Sequence, residues 1–209
     1  MNILLATSNQ HKLKEVQAIV GSRGIEVVGL DTIEGSIDEP VEDADTFAGN
    51  ARLKAIGYAR ATGRWCLADD SGLVVDALGG EPGVHSARFS GIGSTRAERD
   101  SANNALIVER LRDIPTKSRT ARFICAMCFA DPSGNVVAET QGTFEGEIID
   151  TPRGANGFGY DPLFFLPEIG KTSAELTEEE KNALSHRGQA VRTMLTLIEH
   201  EELQSQQDN

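Results

Sequence analysis

The chain has 209 residues, 39% of them hydrophobic, and carries a formal net charge of -12 from 20 lysines and arginines against 32 aspartates and glutamates. That balance excludes a general basic surface for nucleic acid, no apolar run is long enough to span a bilayer, and there is enough apolar material for one domain or for two lobes sharing a sheet. A polyanionic ligand is repelled by such a field, so it has to be held by a few placed cations and a metal.

The opening residues MNILLATSNQHK turn polar at once, which predicts neither a signal peptide nor an anchor. Residues 3–6 read as a buried strand, and Leu13, Val16 and Ile19 or Val20 recur at helical spacing after Asn9. Residues 25–30 read as a second strand, 31–45 as an acidic irregular stretch, and 46–61 as a helix with Phe47, Ala51, Ala55 and Tyr58 near one face. Two short strands, 66–68 and 73–78, flank Asp69-Asp70-Ser71-Gly72, where Ser71-Gly72 suits a bend; a Gly/Pro-rich loop then runs over 79–94. A helix over 95–111 precedes a hairpin of 119–130 and 136–149 whose turn is Asp131-Pro132-Ser133-Gly134. The last third has a glycine-rich loop ending in Gly157-Phe158-Gly159-Tyr160-Asp161-Pro162 and a short strand over 163–166. A capping box at Thr177 and Glu180 and a helix striped with Val191, Leu195 and Ile198 follow, with fraying expected after Leu203. The acidic residues 178–180 and those at Glu199, Glu201 and Glu202 read as solvated helix faces. Cys66, Cys125 and Cys128 are an odd set in apolar surroundings, as expected of buried thiols in a reducing, cytoplasmic compartment. Cys125 and Cys128 have C-x-x-C spacing, but three residues apart on a strand means opposite faces, which rejects zinc.

Four segments carry chemistry. Thr7-Ser8-Asn9-Gln10-His11-Lys12 sits at a strand-to-helix junction, where unpaired N–H groups and a lysine attract phosphate; the same residues also make an ordinary helix cap. Glu42 and the Asp69-Asp70 pair offer oxygen ligands of the kind magnesium takes, one or two carboxylates completed by substrate phosphates, while Asp69-Asp70-Ser71-Gly72 also reads as a polar turn. Phe158 between two glycines can stack on a base or close the core. Lys181 can reach a phosphate, and His186 with Arg187 presents donors that suit base carbonyl oxygens.

Taken in order these motifs are specific. Thr7-Ser8-Asn9 with Lys12, Glu42 ahead of Thr46-Phe47, Asn50-Ala51, Lys54-Ala55, Asp69-Asp70-Ser71-Gly72, Leu78-Gly79-Gly80 with Ser86-Ala87-Arg88, the Gly157-to-Pro162 motif and Ser185-His186-Arg187-Gly188 together resemble the inosine triphosphate pyrophosphatase family over residues 3–198. The resemblance implies a mixed α/β fold, a long curved sheet flanked by helices with two lobes around a central cleft, a homodimer, and magnesium-dependent hydrolysis of ITP, dITP and XTP to the monophosphate and pyrophosphate. It also implies roles: Thr7, Ser8, Asn9, Gln10, His11, Lys12, Lys54, Ser71 and Lys181 around the triphosphate; Glu42 and Asp70 at magnesium, with Asp69 as a further metal candidate and Asp70 as proton acceptor; and Phe158, Gly159, Tyr160, Asp161, His186 and Arg187 around the base. The sequence departs from the family at Gly49, where a glutamate is frequent. Two other readings are a Maf-like pyrophosphatase acting on dTTP, UTP or modified pyrimidine nucleotides, and a nucleotide-binding module without turnover, against which the acidic pair argues. Within the long loop, Val84, Phe89 and Ile92 are the expected dimer contacts.

Overall fold

The computed structural model describes residues 1–207 except Ser22, Arg23, Glu34 and Ser36, with side chains as far as His200. In chain order the regular elements are β1 (Asn2–Leu5), α1 (Gln10–Val20), β2 (Glu26–Val28), α2 (Phe47–Thr62), β3 (Cys66–Val75), α3 (Arg96–Arg110), β4 (Thr120–Ala130), β5 (Val136–Ile148), β6 (Phe164–Leu166), β7 (Lys171–Thr172), α4 (Glu178–Leu184) and α5 (His186–Gln207). The described strands form one mixed sheet in the order β2-β1-β3-β4-β5-β6-β7, with β1 parallel to β2 and β3, and β6 antiparallel to β5 and β7. The chain divides into two units, Met1–Asp70 with Cys125–Gly142 and His186–Asn209, and Ser71–Ile124 with Thr143–Ser185. The divisions fall inside β3, β4 and β5, so each of these strands contributes residues to both cores.

Strand alternation builds the first unit. Ile3 and Leu5, Leu67, and Cys125, Met127 and Phe129 pack with Leu13 and Val16 of α1 and with Val191, Leu195 and Ile198 of α5. The residues between them, Leu4 and Ala6, Cys66 and Ala68, and Cys128 and Ala130, pack with Ala51, Ala55, Tyr58 and Ala59 of α2. The expected stripe on the last helix and the opposite faces of Cys125 and Cys128 are both present. In the second unit Leu73 and Val75 of β3, Ile107 and Leu111 from α3 and its end, and Phe123, Phe144 and Phe164 form one core. Phe164 meets Phe123 and Phe144 at centroid distances of 4.5 and 5.4 Å, and burying each such side chain stabilises by roughly 1.5–3 kcal/mol.

Local signals act where the sequence places them. Thr46 caps α2, Thr95 and Thr177 form capping boxes with Glu98 and Glu180, and Asp131 closes the hairpin turn by accepting from the amides of Ser133 and Asn135 at 2.8 Å. Several expected bounds are corrected. The two short strands expected around Asp69 are one ten-residue strand, so Ser71-Gly72 makes no turn. The second strand is shorter than 25–30 because Leu30 starts a 3-10 turn, the 79–94 loop contains a 3-10 helix over Gly83–Arg88, and β7 was not anticipated. Helix α5 continues to Gln207; the side chains of Glu201 and Glu202, and all of Asp208 and Asn209, lie outside the described residues. Among the described residues no helix is long and apolar enough to cross a membrane.

Candidate active site

Both aspartates lie on β3, and the alternation that sorts the first unit's core sorts them too. Asp69 follows the phase of Leu67, toward α1 and α5; Asp70 follows Cys66 and Ala68, toward α2.

On the α1/α5 side, Asp69 is 1% exposed. Its Oδ2 lies 2.9 Å from Lys12 Nζ and 3.1 Å from an Nη atom of Arg187, and it accepts a long contact of 3.8 Å from the Cys125 thiol. The other Nη of Arg187 donates to Glu15 at 2.5 Å. Burial disfavours the Asp69 carboxylate, but Lys12, Arg187 and Lys54 override it and hold its pKa well below the usual range. Burial opposes the Arg187 charge in turn, and Asp69 and Glu15 keep the guanidinium firmly protonated. The Cys125 thiol is pushed up to about 12, mainly by burial. Lys12 stands in the first turn of α1, whose cap is Asn9: its side chain accepts from the amide of His11 at 3.0 Å, while Thr7 Oγ accepts from the amide of Asn9 at 3.2 Å. Ser8, Gln10 and His11 are exposed at the same junction. His186 is buried at the start of α5, next to Arg187.

On the α2 side, Lys54 Nζ lies 2.8 Å from Glu42 Oε2 and 3.7 Å from Asp70 Oδ1. Asn50, one turn before Lys54, donates to Asp70 Oδ2 at 3.2 Å and accepts from the amide of Ala44 at 3.0 Å, fastening the acidic stretch to β3. Burial pushes the Asp70 carboxyl above its ordinary value, against Lys54, Lys12 and the Asn50 hydrogen bond. Burial would lower the Lys54 ammonium, but Asp70, Asp69 and Glu42 raise it. Two carboxylates from separate segments thus face one ammonium, and their hard oxygens are of the donor type that magnesium takes in ones or twos. Gly49 is also explained. A Cβ there would lie 2.6 Å from the Ala44 methyl and 3.0 Å from Thr46 Oγ1, so a glutamate at this position requires the 44–46 backbone to shift.

The second unit holds the glycine-rich loop. Asp161 Oδ2 accepts from the amide of Phe158 at 2.8 Å and from Lys181 Nζ at 2.6 Å, in a pair that is almost wholly buried. A side chain at Gly157 would strike Asp161 Oδ2 at 2.1 Å, and its φ of +75° is left-handed, so both space and backbone require glycine there. Phe158 is half-buried, with Lys181 Nζ 4.8 Å and the Arg96 guanidinium carbon 4.7 Å from its ring centre. Tyr160 belongs to the core and donates to the carbonyl of Ser86 at 2.8 Å. Ser71 is half-buried on β3.

The structure therefore brings together Lys12, Asp69 and Arg187, then Glu42, Lys54 and Asp70, and separately Phe158, Asp161 and Lys181. Sequence reasoning missed Glu15, Arg96, Asp100 and Asn104, and named Asn50 only as part of a motif, without a role. The available signal was helical spacing: Glu15 lies three residues after Lys12, Asn50 four before Lys54, and the α3 residues lie four apart.

The comparisons agree with the motif order. The dITP/XTP pyrophosphatase of Exiguobacterium sibiricum is 48% identical over 194 residues, covering 93% of this chain and 95% of that protein. That of Desulforamulus reducens is 44% identical over 198 residues, covering 95% and 96%. Among solved structures, a HAM1 protein from Coxiella burnetii superposes with a TM-score of 0.84 at 37% identity, covering 96% of this chain and 99% of that one. Residues 3–197 match the Ham1 family as a whole, and with the motifs standing on the strands and helices described above, the chain belongs to that family.

Proposed function

We propose that this protein hydrolyses aberrant purine nucleoside triphosphates, ITP, dITP and XTP, to the nucleoside monophosphate and pyrophosphate. The observation that carries the reading is the convergence of Glu42 and Asp70 on Lys54, a carboxylate pair that nucleotide binding alone does not need. Relatives that share nearly the whole chain are named dITP/XTP pyrophosphatases.

Water attacks the α-phosphorus, a P–O bond to it forms, and the bond to the bridging oxygen of the β-phosphate breaks. Asp70 accepts the water's proton as general base. Lys12 and Lys54, with the Thr7-to-Lys12 junction and Ser71, hold the triphosphate against the chain's net negative charge and offset the charge that builds on the leaving oxygen. Lys181 is assigned to the triphosphate as well. Glu42 and Asp70 are the residues that would hold magnesium, which would supply Lewis-acid neutralisation of the phosphate oxygens. Asp69 fixes Lys12 and Arg187 through Oδ2, while its Oδ1 is buried without a hydrogen-bond partner among the described residues, so Asp69 remains a further candidate ligand for the metal.

Phe158 stacks on the base, with Gly159, Tyr160 and Asp161 shaping the loop beneath it. His186 and Arg187 donate to the 6-oxo oxygen, an arrangement that penalises adenine because its amino group leaves those donors without acceptors. The protein acts in the cytoplasm, where its three free buried cysteines stay reduced, and as a homodimer, for which sedimentation at micromolar concentration is the check. The deciding experiment for the activity is pyrophosphate release from ITP, XTP, dITP, GTP, ATP and dTTP, with magnesium and with magnesium removed by EDTA. Turnover of the first three with magnesium alone is the expected result. Preference for dTTP supports the Maf-like reading instead, and no turnover supports a binding module.

A further inference from the structure

The α3 helix carries Arg96, Asp100 and Asn104 four residues apart, along one face, and all three meet the loop that holds Phe158. Asp100 Oδ2 accepts the amide of Gly159 at 3.0 Å, and Asn104 Nδ2 donates to the carbonyl of the same glycine at 2.9 Å. Arg96 lies 3.6 Å from the Asp100 carboxylate and places its guanidinium over the Phe158 ring. Both polar groups of one left-handed residue, with φ of +62°, are thus gripped by side chains one helical turn apart. On the other side, Asp161 and Lys181 hold the amide and ring of Phe158. Residues 157–161 lie in no strand or helix, and these two grips act on the ring and on the residue next to it, beside the Tyr160 anchor in the core.

We propose that Asp100 and Asn104 are positioning residues for base recognition, and that Arg96 braces the stacking ring. The α3 face orients Phe158 by holding Gly159, and so determines the affinity for the purine moiety without touching phosphate. This rests on the reading of Phe158 as the base's stacking partner. Asn104 and Asp100 each supply the partner of a backbone group, and leaving such a group without one weakens the ordered loop by about tenfold in binding. Arg96 contributes a single cation–ring contact at a partly exposed site, so its removal costs about two- to threefold.

The test uses calorimetric binding of IMP and of inorganic pyrophosphate to the full-length chain, together with kcat and KM for ITP. Asn104→Ala and Asp100→Ala are expected to weaken IMP about tenfold and raise the KM for ITP by the same factor, leaving pyrophosphate binding and kcat within about twofold. Asp100→Asn keeps an oxygen for the Gly159 amide and is expected to restore IMP binding to within about twofold of the parent. Asp100→Asn and Arg96→Ala, at partly exposed positions, keep the test open where Asn104→Ala does not fold. Equal losses for IMP and pyrophosphate overturn the proposal, because they mean general damage. Unchanged IMP binding in the α3 variants, with IMP weakened by Phe158→Ala, overturns the positioning role while the base-stacking reading stands. If Phe158→Ala itself leaves IMP binding intact, the base-stacking reading fails and this inference fails with it.

Discussion

The two sides of β3 in the first unit place adjacent aspartates in opposite electrostatic states. Asp69 faces α1 and α5 and meets two cations at 2.9 and 3.1 Å; Asp70 faces α2 and meets an amide at 3.2 Å and a lysine at 3.7 Å that lies closer to Glu42. Both are desolvated, yet one carboxyl is driven down and the other up. Burial disfavours both charges, and the more deeply buried Asp69 is nevertheless the one driven down, because more cations face it at shorter distances. A strand that changes face at every residue thus supplies a fixed anion for holding cations and, beside it, a carboxylate whose charge is less well compensated.

The largest expected effect tests the second half of that comparison. Asp70→Asn should lower turnover by roughly two to four powers of ten while nucleotide binding stays measurable by calorimetry, since the amide keeps the volume but cannot accept the proton. Turnover near that of the parent would remove Asp70 from the mechanism and with it the contrast between the two carboxylates.

Asp69→Asn tests the first half and should act on stability. Removing one partner of a buried ion pair costs about 3–5 kcal/mol, here by leaving Lys12 and Arg187 without their shared anion. Since the folded-state pKa of Asp69 lies below its unfolded value, its contribution is fully present above the ordinary carboxylate range and is lost as pH falls below about 4. Asp70, raised by burial, has the opposite sign and favours the folded state at low pH, losing that contribution as pH rises through its raised value. Urea denaturation from pH 7 to pH 3 should therefore show a steeper acid decline for the parent than for Asp69→Asn. Parallel curves would mean that Asp69 is not the linked group.

Arg187 separates stability from selectivity. Arg187→Lys keeps a cation for Asp69 but loses the planar fork that serves two carboxylates. The ratio of kcat/KM for ITP to that for ATP should fall by roughly one to two powers of ten, with a smaller loss of thermal stability than in Arg187→Ala. Proportional loss for both nucleotides would reduce Arg187 to a counter-ion of Asp69 and Glu15. The smallest effect is expected at Lys12, which shares Asp69 with Arg187. Lys12→Ala should weaken pyrophosphate binding by about tenfold, the size of one charge-assisted hydrogen bond, and IMP binding by less; equal weakening would place Lys12 away from the leaving group.

Much of this architecture was legible in the sequence because it depends on neighbours. Alternation along residues 3–6 and 125–130, the Thr95 and Thr177 boxes and the Asp131 turn involve residues within a few positions of one another, where sterics and backbone hydrogen bonding act directly. The same alternation separated Asp69 from Asp70 once they were placed on a strand; the expected bend at Ser71-Gly72 was wrong because pairing in the sheet outweighed a local turn preference.

By itself, then, the sequence determined the element pattern, the caps and the set of residues able to do phosphate chemistry. Which of them meet was decided only by the tertiary structure. Arg187 reaches Asp69 across 118 residues of chain, Asn104 holds Gly159 across 55, and Lys181 finds Asp161 across 20. No periodicity encodes such partners, because a charge buried by distant elements must find its counter-ion among whatever side chains the packed sheet and helices bring within a few ångströms.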